Sequence, residues 1–308
     1  MKFFLKKIHM PIVGLMLAFA ALGNLVQSYG NVYRNIMGAI SAILFIIATA
    51  KFAYDFQGLK NELNNPIGAS VFPTYSMGIM LLATYVKSYN SNVAYAVWII
   101  GIIIHIALII RFSMKFVRKF NIKQVLPSWF IVYVGIGVVA VTGKAFNQTV
   151  GQYAFWFAVV SYLILIFVVG KRVFVVKEIP EPALPTLVIF SAPGSLCLAG
   201  YLNSFDQRNF FIFWFLLVLS QGFYIFALIK LIGLLKLKLK FYPSYSGFTF
   251  PLVISALALK LSNGFLINQG VKITVLPIFI KVEEIIAVII VFYVLRRYLE
   301  NLAKNKAN

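Results

Sequence analysis

The side chains able to do chemistry are few in this 308-residue chain. There are eight acids, two histidines and one cysteine. Membrane-embedded catalysts and proton pumps need paired acids, histidine clusters or a nucleophile beside its base. Asp55, Glu62, Glu178, Glu181, Asp206 and Glu300 sit in or beside polar breaks between apolar runs. Glu283 and Glu284 are adjacent, which on a helix points them about 100° apart instead of onto one face. They read as charges at an interfacial helix end. His105 falls in the middle of an apolar run, where a neutral imidazole bonded to a neighbouring helix is expected. Cys197 excludes a disulfide within the chain, and a lone thiol in an apolar run behaves as a small hydrophobe. No metal or cofactor site and no enzymatic centre is expected.

Two cations are placed differently. Lys144 and Lys260 fall towards one end of apolar segments that carry prolines, where they could form an outer vestibule and attract anions. Snorkelling to headgroups explains them equally well.

The elements that must position these residues follow from composition. The chain is 61% apolar and 12% charged, with a mean hydropathy of +0.91. A soluble domain devotes about a quarter of its residues to charge. This chain has too little polar surface for water, so the bilayer is its solvent. The net charge of +20 is not a nucleic-acid signal, because the charges lie between apolar runs. Apolar runs of about 20 residues span the hydrocarbon. Ten are expected, roughly at 10–28, 33–54, 66–86, 91–116, 126–144, 150–170, 183–204, 208–235, 244–264 and 273–298, with a basic tail at 299–308. The basic stretch Met1–Lys7 resembles the start of a signal peptide but lacks a small-residue cleavage site, so the first span is expected to be retained. With ten spans, 21 of the 28 Lys and Arg fall on the side of the termini, which the positive-inside rule assigns to the cytoplasm.

Prolines supply the internal order. Ten of the eleven lie in or just before odd-numbered spans, and only Pro277 belongs to an even one. Pro11, Pro73, Pro127, Pro193 and Pro251 recur at steps of 62, 54, 66 and 58 residues, the length of one helical hairpin. Proline removes a backbone hydrogen bond, and a freed carbonyl is costly in lipid. Five hairpins are therefore expected, with kinked odd helices around a central pore and straighter even helices outside. The odd spans are also rich in glycine and alanine, which permit close packing or leave an opening.

Several segments carry a resemblance. Pro11 through Gly14 and Ala21 through Asn24, Asn65-Pro66 through Phe72-Pro73-Thr74-Tyr75-Ser76, Pro127-Ser128-Trp129-Phe130 through Gly135, Ala192-Pro193 through Tyr201, and Phe248-Thr249-Phe250-Pro251 occur in order. They resemble the tellurite-resistance/dicarboxylate transporter family, which includes plant guard-cell slow anion channels, bacterial TehA proteins and fungal malate permeases. The resemblance implies ten helices as five hairpins around a pore, usually in a homotrimer of the cell membrane. It also implies a phenylalanine gate on the ninth helix, at Phe250, with Phe248 as the alternative. Small inorganic anions such as chloride and nitrate are the implied cargo of a channel. Small organic acids such as C4-dicarboxylates, or sulfite or tellurite, are the implied cargo of a carrier. The plant members carry long regulatory tails, and regulation of that kind is not expected here.

Overall fold

The computed structural model describes residue 5 and residues 7–304. Most of the basic start and the last residues of the tail lie outside that range. Among the described residues the chain is helical and has no strand.

Among the described residues, eight helical segments are long and apolar enough to cross a membrane: Ile12–Tyr29, Asn31–Tyr54, Pro66–Val86, Ser91–Val117, Gln148–Val176, Glu181–Ser204, Phe210–Lys236 and Pro243–Asn268. Two more helices accompany them. Trp129–Gly143 is apolar but shorter. Leu276–Lys304 is 29 residues long and carries Lys281, Glu283 and Glu284 among apolar turns.

The α-helical parts are α1 (Ile12–Val26), α2 (Asn31–Tyr54), α3 (Phe56–Glu62), α4 (Pro66–Val71), α5 (Thr74–Val86), α6 (Ser91–Phe112), α7 (Trp129–Tyr133), α8 (Gly137–Gly143), α9 (Gln148–Gly170), α10 (Ser191–Ser204), α11 (Phe210–Lys236), α12 (Thr249–Asn268) and α13 (Leu276–Lys304). Burial divides them into two sets. Within an apolar 18-residue stretch of each, 67–94% of residues are buried in the segments containing α1, α5, α10 and α12, but only 22–33% in those of α2, α6, α9 and α11. The second set turns side chains such as Ile103, Phe167 and Ile229 outward. An apolar side chain directed outwards is stable only against lipid or a partner.

Packing follows the same division. The inner helices touch in a closed cycle, α1 on α5, α5 on α8, α8 on α10, α10 on α12 and α12 on α1. Each packs outward on the helix that follows it in sequence: α2, α6, α9, α11 and α13. Small residues permit the approach. Gly194 brings its backbone against Ser220, and a Cβ there would lie 3.1 Å from the Ser220 nitrogen. Ser195 and Ser220 hydroxyls bond across the same contact at 2.8 Å. Such contacts replace the hydrophobic driving force that lipid does not supply.

Asparagines start three of the outward helices. Asn90, Asn147 and Asn209 each accept a hydrogen bond from a first-turn amide, at 3.0, 3.1 and 2.7 Å. Each cap contributes about 1 kcal/mol, and an amide does so without adding charge. Gly30, at φ +141°, makes the turn from α1 to α2, a backbone conformation other residues rarely adopt.

The prolines divide by position. Pro73 stands at the break between α4 and α5. Pro193 and Pro251 lie in the first turns of α10 and α12, immediately after 3-10 segments at Glu181–Phe190 and Pro243–Phe248. Pro11 and Pro127 differ from the expected kinks. Pro11 occupies the N-cap of α1, and Pro127 precedes α7 by two residues. At a helix start the missing N–H has no partner to lose, so the helix begins there instead of bending. The break in the fifth segment falls at Val134–Ile136, where the chain tightens into a 3-10 turn around Gly135.

Candidate functional site

The five inner segments enclose a narrow central cavity of about 40 Å³. Each contributes wall: Gly14 from α1; Thr74 and Met77 from α5; Phe130, Val134 and Gly135 from the α7 segment; Thr186, Ile189 and Pro193 around the start of α10; and Ser246, Gly247, Phe250 and Pro251 around the start of α12. Among these lining residues none is charged. The breaks in the inner segments lie among the residues that line this cavity.

Breaking the inner segments frees carbonyls, and hydroxyls cover several of them. Thr74 donates to the Val71 carbonyl at 2.8 Å, Thr186 to Ala183 at 2.6 Å and Thr249 to Ser246 at 2.7 Å. With those hydrogens committed to backbone, the wall offers an ion little solvation. It is narrow and apolar.

Phe250 lines the cavity and is 6% exposed. Phe248 does not line it. Its ring is buried against Tyr245, with centroids 5.0 Å apart. A second aromatic in the wall, Phe130, packs on Phe190 at 5.4 Å and Tyr162 at 6.0 Å. Sequence reasoning missed Phe130, although its Pro127-Ser128-Trp129-Phe130 motif carried it.

On the side of the chain termini the cavity meets a wider space of about 400 Å³, shared at Val71 and Ser244. His9, Lys51, Asp55, Glu62 and Asn65 border this mouth. Lys51 pairs with Asp55 at 2.7 Å. Desolvation raises the Glu62 carboxyl above its ordinary value, against the smaller opposing effect of Lys51. Desolvation, with Lys51 adding to it, lowers the His9 imidazole.

Neither Lys144 nor Lys260 borders the central cavity. Lys144 is exposed after α8. Lys260, expected as a vestibule cation, is tied down: it donates to Glu284 at 2.5 Å, to Ser28 Oγ at 2.7 Å and to the Leu25 carbonyl at 3.0 Å. Tyr29 also donates to Glu284, and Lys281 to Tyr29 at 2.8 Å. The acids expected at an interface are instead inside. Glu283 and Glu284 are each 4% exposed. For Glu284 the reason is tertiary: the end of α1 packs over this face of α13, and Lys260 on α12 supplies the counter-charge.

Breaking a buried ion pair from one side leaves an uncompensated charge, at a cost of about 3–5 kcal/mol. Lys260 is 27% exposed, which screens part of this. Lys260→Met is expected to destabilise by about 3 kcal/mol, and Lys260→Met with Glu284→Leu to recover most of it. Thermal unfolding in detergent measures both.

Among the described residues no three His, Cys, Asp or Glu side chains are grouped to hold a metal, and Cys197 is buried. Compared with known proteins, the chain matches the model of the voltage-dependent anion channel family over residues 8–298. No curated protein matches it. The match covers every helix that surrounds the cavity and all five inner segments. The chain therefore belongs to the voltage-dependent anion channel family, a family of membrane anion channels and transporters.

Proposed function

We propose that the chain is a gated channel for small monovalent anions, with Phe250 as the occluding side chain. The observation that carries this reading is one cavity bordered by all five inner segments, with Phe250 in its wall. In this reading Trp129–Gly143 and Leu276–Lys304 complete ten spans in five hairpins. Both termini face the cytoplasm, the chain resides in the cell membrane, and the assembly is a homotrimer with one path per subunit. The ten-span count places 21 of 28 basic residues on the cytoplasmic side, which supports the orientation.

Selectivity follows from the wall. A narrow apolar passage without fixed charge admits ions by how cheaply they shed water. Nitrate then passes more readily than chloride, and a dianion such as malate is held back. Carbonyls covered by hydroxyls repel anions less than bare ones would. Recordings across a planar bilayer with chloride, nitrate and malate gradients test this. Saturable, proton-coupled uptake of malate, sulfite or tellurite into liposomes would replace the channel by a carrier.

The mouth adds a pH dependence. Ionised Glu62 repels entering anions, and its raised pKa means that it is neutralised at a higher pH than a free glutamate. His9 becomes cationic only below the ordinary imidazole range. Both changes favour anion entry as pH falls on that side, where the Lys51–Asp55 pair also borders the mouth. Anion current is expected to rise on acidification. Glu62→Gln should raise the current at neutral pH and remove the first part of the response. A titration of current in both proteins reads the difference.

A further inference from the structure

Behind the cavity wall lies a fully buried histidine, His105 on α6, which touches two inner segments. Its Nδ1 is 2.8 Å from Ser76 Oγ on α5. Its Nε2 is 3.2 Å from the Val132 carbonyl on α7. A carbonyl only accepts, so Nε2 carries a hydrogen and donates it to Val132. In the neutral ring Nδ1 is then an acceptor, so Ser76 Oγ, which also lies 2.8 Å from the Pro73 carbonyl, donates its hydrogen to Nδ1. The ring thus bonds one inner segment at the Pro73 break and another just before the 3-10 turn at Val134–Ile136.

The ring also presses on the wall itself. A Cβ on Gly135 would lie 3.0 Å from His105 Cε1 and 2.8 Å from Met77 Sδ. Gly135 and Met77 both line the central cavity, and His105 does not. The imidazole therefore fills the space behind two wall residues and bonds the two segments that carry them. An outer helix needs no histidine merely to face lipid, and a buried polar side chain in a membrane is costly unless its bonds are made. Here both ring nitrogens are engaged.

We propose that His105 is a positioning residue for conduction: from outside the inner ring it fixes the spacing of Met77 and Gly135, and hence the bore of the path. This rests on the reading of the central cavity as the anion path. Without the tie, the α5 break and the 3-10 turn at Gly135 are free to shift independently, and the passage changes width.

The test uses full-length protein carrying Phe250→Ala, so that current is measurable. His105→Leu keeps bulk but loses both bonds, whereas His105→Gln retains an amide that can donate to Val132. We expect His105→Leu to change single-channel conductance and the nitrate-to-chloride permeability ratio by about threefold or more, a shift in barrier of about 0.6 kcal/mol. His105→Gln should stay near the parent. A residue that served stability alone would lower the number of channels and leave both quantities unchanged, and that result overturns the proposal. A second measurement is independent of ion flow. The rate at which a methanethiosulfonate reagent labels Ser246→Cys reads access to the cavity, with the native Cys197 buried and unreactive. If Phe250→Ala passes no anion but His105→Leu alters the labelling rate, the bore assignment stands and the conduction reading falls. An unaltered labelling rate removes the bore assignment.

Discussion

Phe250→Ala is expected to raise anion conductance by at least about tenfold, which corresponds to removing a barrier of about 1.4 kcal/mol. The ring lies in the cavity wall, and an aromatic side chain at a dry constriction blocks ions until it swings aside. Alanine removes the block and leaves the helix start intact, because Pro251, next in sequence, already sets the backbone of the first turn. The measurement is single-channel recording of purified protein in a planar bilayer, with elution as a folded species as the control. Phe248→Ala provides the contrast. Its ring packs on Tyr245 away from the cavity, so its loss should lower stability without raising conductance. Equal conductance in parent and Phe250→Ala would remove Phe250 from the gate.

The opposite effect is expected at Gly14. This residue lines the cavity across from the start of α12, and a Cβ placed on it would lie 3.0 Å from Ser246 Cβ. Valine adds two further carbons on a stiff, branched stem. The helix cannot retreat to make room, since α1 is enclosed by α2, α5, α12 and α13. The side chain must occupy the passage. Gly14→Val in the Phe250→Ala background should cut conductance at least about tenfold relative to Phe250→Ala alone. If the double variant conducts as well as the single one, the ions take another route and the central cavity is not the path.

These two positions show how differently parts of the site are expressed in sequence. Proline makes a backbone demand that can be read one residue at a time, and, apart from α13 with Pro277, the segments that carry or follow prolines are the inner ones. Pro11 and Pro127 nonetheless begin helices, and the fifth segment breaks at Gly135 instead. Whether a proline kinks or starts a helix depends on where the preceding turn ends, which is a tertiary matter. The choice between Phe248 and Phe250 was equally open. Two residues apart on a helix lie about 200° apart, so a short register uncertainty exchanges a ring in the wall for a ring in the packing. Phe130 was overlooked although its motif carried it, because with thirty phenylalanines in one chain composition singles out no ring.

Composition and the spacing of apolar runs were enough to place this chain in a bilayer as a helical protein, because lipid tolerates no unsatisfied backbone and little charge. Ordered motifs were enough to indicate its family. Geometry between helices was needed for the rest. It buried Glu283 and Glu284 within the packing and paired Lys260 with Glu284. It also gathered Gly14, Met77, Gly135, Pro193 and Phe250 around one cavity. A periodic pattern tells which face of a helix is apolar, but in a membrane both the lipid-facing and the protein-facing sides are apolar. Only the packing of neighbours distinguishes a wall from a lipid contact, and a buried charge from an exposed one.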